Sequence, residues 1–202
     1  MDAESRSEAY VTEALLVAPH APEPLQTLAS VRISQKRWDE ARSALTKSLE
    51  LWQYLSPEDS NVPEFSSRVS LSRLLMEAEL DKEALIVLER LLLEDSCSVE
   101  AWYLGGWCLY IGAKKDHSCS NLQNGKASPV DFSRSHNDSL RQSRKWLLAC
   151  LDLYDSTTYE DRRLKDHAEQ LLREIHAIIG DVSDDEDENE IEANWEDEEE
   201  TN

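Results

Sequence analysis

The chain has 202 residues, 40% of them hydrophobic, with five glycines, six prolines and a formal net charge of −21. That length and apolar content suffice for one or two domains with a core, and scarce glycine with recurrent leucine favours helices over a sandwich or barrel. The charge argues against nucleic acid as a direct ligand, because phosphates need basic patches, and favours a basic partner protein.

The acidic excess is uneven. Residues 1–110 carry 19 acidic and 10 basic side chains, residues 111–180 carry 10 and 11, and residues 181–202 carry 13 and none. No apolar run reaches membrane-spanning length, so no membrane contact is expected. No signal peptide is visible in residues 1–20, where charge alternates with apolar positions. Cys97, Cys108, Cys119 and Cys150 form no CxxC pair, which fits reduced thiols and a place in cytoplasm and nucleus. His117-x-Cys119 lacks further ligands at matching spacing, so neither metal nor cofactor is expected.

In chain order, "SEAYVTEALLVA" at 7–18 reads as a helix packing through Val11, Ala14 and Leu15, and as a lone second helix that leaves an apolar face open. From Pro22, Leu25, Leu28 and Ala29 mark a helix face. After the break "QKR", "WDEA" opens a second helix packing through Ala41, Leu45, Ser48 and Leu49. This pair resembles the tetratricopeptide (TPR) repeat, in which a small residue lets the second helix cross the first closely.

The repeat recurs. In "LDKEALIVLERLLLE" at 80–94, Ala84, Leu88, Leu91 and Leu92 superpose on those four positions, with the surplus length falling in the proline-bearing loop "SPEDSNVPE". "VEAWYLGGWCLYIG" at 99–112 supplies a third first helix through Trp102, Gly105, Gly106 and Leu109. Gly106 falls where the repeat wants a small residue. Gly105 stands where leucine is usual, so a bulky neighbour from the helix after the insertion is expected to fill the gap. Residues 113–137 read as a polar, disordered insertion, after which Ser143, Leu147, Cys150 and Leu151 resume the second helix. Residues 157–179 carry Leu164, Ala168, Leu171, Leu172, Ile175 and Ile179 on one stripe, as a capping helix would.

The expected architecture is therefore all-α: a TPR-like solenoid over 1–179, of about three units plus a C-terminal capping helix, and a disordered acidic tail over 180–202. In the tail, Ile191 and Trp195 are candidate apolar anchors on an electrostatic hook, and Ser183 lies in an acidic kinase-like context. First helices line the concave face of such a solenoid. The pattern places there Gln26, Ser30 and Ile33, then Val69, Arg73, Met76 and Glu77, then Glu100, Tyr103, Trp107 and Tyr110. These aromatics and carboxylates can hold an Arg/Lys-rich segment by stacking and ion pairing, or the aromatics can instead pack against the neighbouring or capping helix.

No enzyme is expected. His20, His117, His136, His167 and His176 read as lying on linkers, the insertion or polar faces, without a nucleophile at matching spacing, and no small-molecule substrate motif occurs. The Lys and Asn clamp by which co-chaperone TPRs hold a C-terminal carboxylate is missing at Gln26, Ser30, Val69, Arg73, Tyr103 and Trp107. A generic TPR scaffold or co-chaperone for a non-ribosomal peptide is the alternative reading.

The run "VEAWYLGGWCLYIG", the following insertion, "SRKWLLACLDLY" and the Trp-containing acidic "ANWEDEEE" together resemble the fungal TPR assembly chaperones dedicated to the fourth large-subunit ribosomal protein. The resemblance is best over roughly residues 60–202. It implies a superhelix that captures the new ribosomal protein by its long basic loop, prevents its aggregation and accompanies it to the pre-60S particle. It also implies further repeats ahead of this chain's first residue.

Overall fold

The computed structural model describes residues 3–120, 129–157 and 159–180, and side chains over 6–115, 136–157 and 159–180. Among the described residues every element is a helix: α1 (Ala3–Val17), α2 (Pro22–Ser34), α3 (Trp38–Glu50), α4 (Phe65–Glu77), α5 (Asp81–Glu94), α6 (Val99–Ser120), α7 (Pro129–Thr157) and α8 (Arg162–Ile179). Three pairs follow in order, α2 with α3, α4 with α5 and α6 with α7. The first helices α2, α4, α6 and then α8 touch in succession and form one row. The acidic tail, with Ser183, Ile191 and Trp195, lies outside the described residues.

The repeated small positions explain the pairing. Ala41, Leu45, Ser48 and Leu49 on α3 are buried, as are Ala84, Leu88 and Leu91 on α5, while Leu92 is half-buried. Ser143, Leu147 and Cys150 repeat the register on α7. Two of these serines are polar bolts: Ser48 Oγ donates to the Pro22 carbonyl at 3.0 Å and Ser143 Oγ to the Gly106 carbonyl at 2.7 Å. A buried hydroxyl needs such a partner to avoid an uncompensated desolvation penalty.

The turns between paired helices repeat as well. After α2, Lys36 takes φ 61°, its N–H donating to the Ile33 carbonyl and the Arg37 N–H to the Arg32 carbonyl. After α4, Glu79 takes φ 62°, with Glu79 N–H to Met76 and Leu80 N–H to Leu75. Each is a Schellman end that satisfies the last carbonyls of the first helix. Arg37 and Leu80 then serve as the N-caps of α3 and α5, so the chain reverses with no spare residue.

Gly105 and Gly106 sit at the closest approach of α6 and α7. A Cβ on Gly105 would lie 1.9 Å from the Trp146 ring, and one on Gly106 would lie 2.7 Å from Leu147. The bulky neighbour expected for Gly105 is thus Trp146, which also meets Trp102 edge-on at 5.4 Å between ring centroids.

The insertion departs from expectation at both ends. Helix α6 continues to Ser120 and α7 begins at Pro129, so much of 113–137 is helical; residues 121–128 lie outside the described set. Polar composition misled here because the first residues have tertiary partners. Ala113 is buried, Lys114 pairs with Glu174 at 3.2 Å and Lys115 with Asp81 at 2.5 Å.

Helix α8 closes the far end. Asp161 caps it, its side chain accepting from the N–H groups of Arg163 and Leu164. Leu164, Ala168, Leu171 and Ile175 form its buried stripe, with Leu172 and Ile179 half-buried. At the other end, only part of the α1 expectation holds: Val11 is buried and Leu15 half-buried, but Ala14 is exposed along with Tyr10, Leu16 and Val17.

The linker between units one and two is ordered by two arginines. Arg68 is buried, makes a bidentate pair with Glu94 at 2.6 Å, and lies over both the Trp52 ring and the Phe65 ring. Arg90 lies over Trp52 as well and donates to the carbonyls of Trp52, Gln53 and Leu55. Sequence reading missed this assembly, since partners 26 residues apart leave no local signature.

Candidate functional site

The row of first helices carries the outward stripes that the sequence pattern marks as a candidate binding surface. On α2 the exposed stripe runs through Glu23, Thr27, Ser30 and Ser34, and on α4 through Ser66, Ser70, Arg73 and Glu77. Thr27 and Ser70 each donate to the carbonyl four residues earlier, which holds these hydroxyls down against their own helices. The result is a low polar floor that rises to aromatic rings on α6.

Several expected groove residues are instead interior. Gln26 is buried and donates to Ser48 Oγ at 3.3 Å, and Ile33 and Val69 are core residues. The first-helix pattern placed them one position too far round: residues facing the paired helix and residues facing outward are adjacent on the wheel. Met76 is half-buried against the main core. Ser30, Arg73 and Glu77 are exposed as expected, and Arg73 pairs with Glu100 at 2.5 Å across α4 and α6.

The aromatics of α6 are engaged by α8. Tyr103 Oη and His167 Nδ1 are 2.7 Å apart, and the His167 ring stands edge-on to Trp107 at 5.2 Å. Tyr103 and Trp107 lie tilted at 5.9 Å between centroids. His167, expected on a polar face, is therefore half-buried in an aromatic cluster. Tyr110 is buried, donates to Glu174, and carries Lys114 Nζ 4.5 Å above its ring. Of the two arrangements open to these rings, contact with the capping helix is the one observed, and it leaves Tyr103 and Trp107 only partly accessible.

Protonation follows from this packing. Burial pushes the Tyr103 hydroxyl up to about 12, so it stays a neutral hydrogen-bonding group. Hydrogen bonds from Tyr110, Gln170 and Lys114 hold the Glu174 carboxyl down at about 2. Burial also pushes the Cys108 and Cys150 thiols up to about 12; these and Cys97 are free. Among the described residues no cluster of three metal-ligating side chains forms, and no helix is long and apolar enough to cross a membrane.

No family model matches the chain. It is 53% identical over 200 residues to a protein of Emericella nidulans named "Probable assembly chaperone of rpl4", covering 96% of this chain and 52% of that protein. A protein of the same name from Schizosaccharomyces pombe is 35% identical over 197 residues, covering 96% and 55% respectively. Over the half that it spans, the chain is similar to both proteins along nearly its whole length. It spans about half the length of the curated relatives it matches. A solved structure of "Assembly Chaperone of RpL4 (Acl4)", residues 1–338, superposes with a TM-score of 0.58 at 56% identity, over 59% of this chain and 42% of that one. This similarity agrees with the resemblance carried by the block from Val99 onward.

Proposed function

We propose that the chain is a binding protein, not an enzyme, that holds a newly made ribosomal protein of the large subunit through a basic segment and escorts it to pre-60S assembly. The observation that carries this reading is the 53% identity, over 96% of the chain, to a relative named for assembly of rpl4. The physical case is independent of the name. Ribosomal proteins carry basic extensions meant for rRNA, and unassembled they self-repel and bind polyanions indiscriminately. A chain of net charge −21 offers carboxylates in place of phosphates, and rRNA, with denser charge, can later displace it. The segment would lie along α2 and α4 and meet Glu77, Glu100 and the accessible edges of Tyr103 and Trp107, with the tail around Trp195 as a second acidic contact. The work would take place in cytoplasm and nucleus.

The test is purification of the chain with the fourth large-subunit ribosomal protein, followed by titration at about 50 mM and about 500 mM salt. Binding should weaken steeply with salt, and the Trp107→Ala, Glu100→Lys double variant should lose the client while keeping its helical circular dichroism. Equal affinity at both salt concentrations overturns the electrostatic basis. Recovery of heat-shock proteins in place of a ribosomal protein assigns the chain to the co-chaperones.

A further inference from the structure

Arg73 is the odd residue on a surface otherwise suited to a basic segment. Along the outward stripes of α2 and α4 the other side chains are hydroxyls or the carboxylates of Glu23 and Glu77, and Arg73 is the one base. Its guanidinium has a fixed partner. Arg73 Nη2 donates to Glu100 Oε1 at 2.5 Å, reaching from α4 to the first turn of α6. Among the described residues this is the only hydrogen bond either charged group makes.

The pair is lightly held. The Arg73 side chain is 50% exposed and that of Glu100 33%. Arg68, by contrast, is buried and grips both oxygens of Glu94 with two nitrogens. An exposed single-contact pair contributes little to stability, whereas a guanidinium fork on both carboxylate oxygens is stronger and more specific. Arg73 thus occupies Glu100 through one oxygen only, and an arginine that reaches both oxygens is favoured in the exchange.

The neighbouring residues suit the same chemistry. Tyr103 and Trp107 follow Glu100 by three and seven residues, on one side of α6, with ring centroids 5.9 Å apart and both rings half-buried. A planar guanidinium stacks on such rings, and an ammonium does so less well. The charge of Arg73 is felt at this place: burial above all raises the Tyr103 and Tyr159 hydroxyls, and Arg73 opposes the rise at both. One turn beyond Arg73 on α4, Glu77 is exposed and makes no ion pair among the described residues, so a displaced guanidinium has a second carboxylate within reach.

We propose that Arg73 is a built-in placeholder for an arginine of the client. It holds the Glu100 carboxylate while no client is bound, and yields it when a client guanidinium pairs with Glu100 beside Tyr103 and Trp107. The inference rests on the reading of the first-helix row as the client surface, and adds to it a preference for arginine over lysine. It also adds a threshold, because a segment gains Glu100 only by displacing a charge already there.

The experiment uses the whole chain and two labelled synthetic peptides of equal length and charge, one with arginine and one with lysine at every basic position, at about 100 mM salt. The arginine peptide should bind at least about threefold more tightly than the lysine peptide. Arg73→Gln, which keeps a helix-forming side chain, should tighten the arginine peptide at least about threefold further. Lys82→Gln removes the same charge from α5, outside the row, and should tighten it by less than about twofold. With Glu100→Gln already in place, Arg73→Gln should gain no more than Lys82→Gln does. Unchanged or weakened binding in Arg73→Gln, a gain that survives Glu100→Gln, or equal affinity for the two peptides overturns the placeholder and leaves the client surface standing. Failure of both peptides to bind either the parent or Arg73→Gln overturns the client surface itself, and the placeholder with it.

Discussion

Two single residues show how tightly this fold is specified. Gly105 has no room for a methyl group, because Trp146 fills the space above its backbone. Gly105→Ala would gain about 1 kcal/mol of helix propensity, yet the indole is wedged against Trp102 and must move. Overpacking of this kind typically costs about 1–3 kcal/mol, so we expect a net loss of up to about 2 kcal/mol in urea unfolding. Arg68 is the second case. Arg68→Ala would leave Glu94 without its bidentate partner and remove a guanidinium from between two rings. Glu94 keeps Arg90 and is partly solvated, so the expected cost is that of a charge-assisted hydrogen-bonded pair, about 1.5–3 kcal/mol, which thermal or urea unfolding would register. The pH dependence has a definite sign. Arg68 holds the Glu94 carboxyl below its ordinary value, so its contribution is present above the unfolded pKa of about 4.3 and is lost as pH falls. The Glu94→Gln protein should therefore lose less stability than the parent on acidification below about pH 4.3.

At the scale of elements, the capping helix is the informative one. Its attachment combines an apolar stripe with a polar edge, Glu174 joining Tyr110, Lys114 and Gln170. With Glu174 held at about 2, acidification from about pH 4.3 towards 2 should loosen α8 selectively. Amide protection factors at α8, corrected for the intrinsic exchange rate at each pH, should fall across that window in the parent and stay nearly flat in Glu174→Gln. Asp161→Ala should cost about 1 kcal/mol by removing the cap that satisfies the Arg163 and Leu164 amides. The existence of α8, its stripe and its capping role were legible from apolar spacing alone. What it covers was not. The sequence offered two fates for Tyr103 and Trp107, and only tertiary placement of His167 decides between them. In the same way, Ala41 and Ala84 revealed the repeat because a local rule demands small residues there, whereas Arg68, Arg90 and Glu94 obey no local rule and stayed hidden. Gln26, Ile33 and Val69 failed differently: periodicity gives the apolar face, and a shift of one position, about 100° on the wheel, moves a side chain from groove to core.

For the whole molecule, the three pairs and the cap form a stack in which each unit contacts mainly its neighbours. Stability in such a stack is close to a sum of unit and junction terms. The two ordering arginines lie at one junction, between units one and two, and the glycine pair lies within unit three. Destabilising either should therefore broaden the unfolding transition as well as shift it, because part of the array can open first.

The paired Schellman turns have a practical consequence. Lys36 and Glu79 sit 43 residues apart, the same separation as Ala41 and Ala84, and each is a side-chain-bearing residue held in left-handed backbone. An L-residue there costs roughly 1–2 kcal/mol that glycine does not incur, partly offset by glycine's greater freedom when unfolded. Lys36→Gly and Glu79→Gly should each raise stability by about 0.5 kcal/mol, additively because the sites are independent, as a rise in melting temperature would show. Thermal hardening is thus available at hinge points that touch neither face of the protein.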